Sequence, residues 1–93
     1  MQFLKLLNIY LFNLPDMGNF RPLPTKCWEA FLTLKGFVHI RTKSSHHQWT
    51  KRGSRTISVW GNEKQIPAQH LKTSVKIIGC NLEDLYAWAE VNC

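Results

Sequence analysis

The sequence predicts an α+β domain: a three-stranded antiparallel sheet with helices packed on one face, in the order α-β-β-β-α(-α). Three observations point there. A helical apolar stripe ends at Gly36, three short segments rich in β-branched and aromatic residues follow it, and two further helical patterns close the chain. In the first, Thr25 can act as an N-cap, and Trp28, Phe31, Leu32 and Leu34 fall near one side of a helix that Gly36 ends in a left-handed conformation. Extended segments are expected over 37–42, 46–50 and 55–60. Their links are short and polar, and Gly53 supplies the freedom a tight turn needs, so the three should form a meander. Alternation puts Ile57 and Val59 on one face of the last strand and Thr56, Ser58 and Trp60 on the other.

Pro67 suits the first turn of a helix in which Leu71, Val75 and Ile78 recur at i, i+4 and i+7 before Gly79. Asn81 with Asp84 three residues on has the form of a capping box, opening a last helix with Leu82, Leu85, Tyr86 and Trp88. Ahead of all this, residues 18–24 hold two prolines and no periodicity. Residues 1–23 therefore read as an N-terminal extension, flexible or an over-extended gene start with Met17 as the initiating residue, and 24–93 as the domain. The apolar stretch 1–14 is interrupted by Asn8 and Asn13 and lacks a small-residue cleavage site. It is also shorter than the roughly 20 residues that span a bilayer. No membrane partner is expected, and the expected compartment is the cytoplasm.

With 93 residues there is material for one core, and 44% apolar composition favours a folded chain over a disordered one. Twelve Lys and Arg against six Asp and Glu leave a net charge of +6, which favours a polyanionic partner: nucleic acid, an anionic membrane surface or an acidic protein. Cys27, Cys80 and Cys93 are odd in number and widely spaced, so they read as isolated thiols of a reducing compartment rather than as a disulfide or zinc framework.

His46 and His47 open the second strand, and alternation allows only one of them to face outward. Imidazole titrates near neutrality, which suits general acid or base work on a 2′-hydroxyl or a leaving oxygen. The plain alternative is a polar surface histidine. His39, His46, His47 and His70 have no zinc-ligand spacing, so neither metal nor cofactor is expected. Around the pair lie Arg41, Lys43, Lys51, Arg52 and Arg55, interleaved with Trp49 and Trp60, a combination that fits phosphate neutralisation and base stacking. A solvated sheet face with core tryptophans would give the same pattern. Gly-rich phosphate loops and nucleophile elbows are lacking, which lowers nucleotide-binding and hydrolase-fold classes.

The order Gly36-Phe37, Ser44-Ser45-His46, Thr56-Ile57-Ser58-Val59-Trp60 and Ile66-Pro67 followed by Leu71 resembles the HicA toxin family across about residues 25–88. The resemblance implies a double-stranded-RNA-binding-domain-like fold and an mRNA interferase, an endoribonuclease held inactive by a HicB-type antitoxin. It implies that His46 is the catalytic residue, and it leaves His47 without a catalytic role. The RNA-binding set is then Arg41, Lys43, Ser45, Lys51, Arg52 and Arg55. Ser44 stands where the family has glycine, a departure that bears on the turn before His46. Two other functions stay open: an RNA-binding domain that does not cut, and a decayed toxin that binds only its antitoxin.

Overall fold

The computed structural model describes residues 20–93; the leader and start-site readings for residues 1–19 lie outside them. The elements in order are β1 (Leu23–Pro24), α1 (Thr25–Leu34), β2 (Val38–Lys43), β3 (His46–Thr50), β4 (Ile57–Trp60), β5 (Gln65–Ile66), α2 (Ala68–Ile78) and α3 (Leu82–Asn92). Strands β2, β3 and β4 form an antiparallel meander in that order, which is the α+β arrangement the sequence predicts. Its inner face contributes Trp49, Ile57 and Val59 to a core completed by Trp28, Phe31, Leu32, Leu71, Val75 and Leu85 from the three helices. The outer face is free of core residues: Val38, Arg41, Lys43, Ser58 and Trp60 are exposed on it.

Helix α1 ends as expected. Gly36 has φ +93°, its N–H donates to the Thr33 carbonyl and the Phe37 N–H to the Leu32 carbonyl, which is a Schellman motif. Its start differs. Thr25 is the first helical residue, not the cap; its buried hydroxyl donates to the Glu63 carbonyl at 2.6 Å and its N–H to the Lys64 carbonyl at 2.8 Å. Leu34 is exposed, because at 100° per residue it lies about 120° round the helix from Trp28. Helix α2 ends at Gly79, φ +93°, and Asn81 and Asp84 form both bonds of the capping box at the start of α3.

Two features extend the domain beyond the sequence reading. Leu23 is buried and pairs with Ile66, so β1 and β5 form a two-residue ladder where a loose leader was expected. Upstream of it, the Tyr86 hydroxyl donates to the Arg21 carbonyl at 2.6 Å and accepts from its N–H at 3.0 Å, fastening the chain to α3. Cys27 and Cys93 are joined in a disulfide between α1 and the residue after α3, with Cα atoms 6.0 Å apart. That corrects the reading of both as isolated thiols; an odd count conceals a pair when the third, Cys80, stays free. Among the described residues, no helix is long and apolar enough to cross a membrane.

Candidate nucleic-acid interface

The site grows from the two-residue turn Ser44-Ser45 that joins β2 to β3. Ser44 has φ +57°, and it is the one non-glycine residue with positive φ among those described. A two-residue hairpin needs a left-handed residue to follow the strand twist, and serine here takes the conformation glycine adopts freely. Ser45 then anchors the turn: its carbonyl accepts from the Gly61 N–H at 2.7 Å, and its hydroxyl accepts from Asn62 Nδ2 at 2.7 Å. The hairpin tip is thus stitched to the turn that follows β4.

Strand alternation divides the histidine pair as the period of two requires. His46 lies on the outer face in a row with Lys43 of β2 and Trp60 of β4, and its ring meets the Trp60 ring edge-on with centroids 4.4 Å apart. The next row is Arg41, Gln48 and Ser58, in which the Ser58 hydroxyl donates to Gln48 Oε1 at 3.0 Å. Among the described residues no carboxylate is within ion-pair distance of His46.

His47 points inward, and Glu29 of α1 holds it there. Its Nδ1 lies 2.7 Å from Glu29 Oε2, which also accepts from Trp49 Nε1 at 3.2 Å. With the carboxylate as acceptor, the proton sits on Nδ1. The ring lies against His39 at a tilt, centroids 4.9 Å apart, and so close to Gly61 that a Cβ there would overlap it. His47 is a structural histidine that fixes helix to sheet. Trp49 is consequently buried and unavailable for stacking on a base; of the two tryptophans weighed from sequence, Trp60 alone is exposed.

The six expected RNA-binding residues fall into two groups. Arg41, Lys43 and Ser45 are gathered at the His46 end. Lys51, Arg52 and Arg55 lie past the other end of β3, about 13 Å away at roughly 3.3 Å per residue. There the Lys51 ammonium donates to the Lys35 carbonyl at 2.7 Å, complementing the negative end of α1. Arg52 is exposed in the β3–β4 loop, and Arg55 lines a hollow with Lys76 of α2.

Glu29 and Asn62, which hold the site together, were not singled out from sequence. The signal for Glu29 was weak but present: it is the single acid between Asp16 and Glu63 in a basic chain, and it directly follows a core tryptophan. Asn62 left none, since its partner is 17 residues away. No family model, curated protein or solved structure matches this chain.

Proposed function

We propose that this chain is a HicA-like toxin, an endoribonuclease that cuts messenger RNA with His46 as its general acid or base. The observation that carries the reading is the placement of His46: it stands on the outer sheet face between Lys43 and Trp60 with no carboxylate among the described residues paired to it, while its neighbour is tied inward. As base, His46 takes the 2′-hydroxyl proton while the 2′ oxygen attacks phosphorus; as acid, it delivers a proton to the departing 5′ oxygen. Lys43 and Arg41 offset the phosphate charge, and Arg52, Arg55 and Lys51 meet the strand farther along.

The α-β-β-β-α order supports a double-stranded-RNA-binding-domain-like assignment, and the positive φ of Ser44 supports an active toxin over a decayed one, because the turn before His46 keeps the conformation glycine would give it. A HicB-type antitoxin is the proposed protein partner, and the cytoplasm, where messenger RNA is translated, the proposed compartment. Disulfides are rare there, so the core must also hold α3 with Cys27 and Cys93 reduced.

Induction of the full chain and of His46→Ala in bacterial cells, following growth and total mRNA, tests this. Arrest with mRNA loss in the parent and neither in the variant is the expected result. Cutting that persists in His46→Ala would remove His46 from the chemistry, and a soluble parent that leaves mRNA intact would leave a binding domain.

A further inference from the structure

Beside the edge of β4 lies a cavity of about 230 Å³ that the proposed cleavage step does not use. Trp60 forms part of its wall, so one indole borders both the cavity and, through its contact at 4.4 Å, the His46 ring. Core Trp28 lines it too, with His70 and Ser74 from α2 and Glu63 and Gln65 from the segment after β4. The volume is below the roughly 300–1,000 Å³ of sites for drug-sized ligands, which suits a single flat ring system.

The lining selects among the parts of a nucleotide. Aromatic walls reward stacking by any base, and Trp60 is 48% exposed. A phosphate is disfavoured because Glu63 is anionic, whereas a base edge brings N–H donors that a carboxylate accepts. His70, Gln65 and Ser74 add further donors and acceptors to the wall. The opposite arrangement, bases in the basic hollow of Arg55 and Lys76 and phosphate in this cavity, would set like charges together.

We propose that this cavity binds the unpaired nucleobase next to the phosphodiester at His46, and so sets the sequence preference of cutting. The inference rests on RNA contacting the His46 face. It is tested with the His46→Ala protein and single-stranded RNA oligonucleotides of one length in which one abasic position is walked along the strand at constant salt. Removing the base at one position should weaken binding roughly five- to a hundredfold, with small effects elsewhere. Ser74→Trp, which fills the cavity, and His70→Ala at its exposed wall should each flatten that profile, with thermal melts verifying that both remain folded. A flat profile in protein that binds RNA, or a dip that survives both variants, overturns the cavity while cleavage by the parent still stands. A dip in protein whose parent cuts nothing keeps the base site and ends the nuclease reading, and a protein that binds no RNA loses both.

Discussion

Ser44 holds a left-handed backbone that costs an L-residue about 1–2 kcal/mol relative to its ordinary conformations. Ser44→Gly should relieve most of this, less the entropy a glycine adds to the unfolded chain. The urea midpoint is expected to rise by the equivalent of about 1 kcal/mol, and the proposed mRNA cutting should be unaffected; a fall would mean that the serine hydroxyl makes an essential bond. Glu29 is the reverse case, a residue whose loss should be costly. Glu29→Ala leaves the Nδ1–H of His47 and the Nε1–H of Trp49 without their acceptor in a half-buried place. Such unpaired donors cost about 1–3 kcal/mol each, so denaturation should show a loss in that range or above; an unchanged midpoint would mean that water replaces the carboxylate. The opposite facing of His46 and His47 was legible from strand alternation alone. The acid that locks His47 was not, because it belongs to another element 18 residues away.

At the scale of elements, the parts specified by local sequence were readable and those specified by tertiary contact were not. The Gly36 and Gly79 helix ends and the Asn81–Asp84 box each depend on a few adjacent residues, and all three stand as expected. The β1–β5 ladder is two residues long and carries no period, so nothing in Leu23-Pro24 announces it. Thr25 looked like a cap because threonine often is one, yet its hydroxyl serves the backbone at Glu63. Gly61 shows how tightly these elements are fitted. A Cβ at that position would overlap the His47 ring, which Glu29 and the neighbouring strands hold in place. Gly61→Ala should therefore destabilise by about 1–3 kcal/mol, the usual cost of overpacking, and displace the His47 ring. Calorimetry reads the first effect and the shift of the His47 ring protons in NMR the second. Unchanged values of both would mean that the turn after β4 yields freely.

Across the whole molecule, the basic charge that suggested a polyanion and the core that closes around α1 are separate designs meeting at the sheet. The outer face is spent on Arg41, Lys43 and His46, so the inner face and helices must supply the stability of a small domain. The C-terminal helix is held by Leu82, Leu85 and Ala89 in the core, by Tyr86 at Arg21 and by the Cys27–Cys93 bond. That last tie was illegible because it joins residues 66 apart, and odd counts at long spacings carry no pairing signal. By the chain-entropy relation, closing a loop of that length restricts the unfolded chain by about 4 kcal/mol. Burial pushes the Cys80 thiol above its ordinary range, with Lys35 drawing it down and Asp84 adding to the rise, which lowers its thiolate fraction near neutral pH. Comparing air-oxidised protein with the Cys27→Ser, Cys93→Ser double variant by urea denaturation should give a stability difference approaching that size, while the variant still folds on its core. Equal midpoints with the bond verified by mass would mean that the cross-link restrains the unfolded chain no more than it strains the fold. A variant that fails to fold would mean that α3 docks only when tied, and the proposed toxin would then lose its C-terminal helix under cytoplasmic reduction.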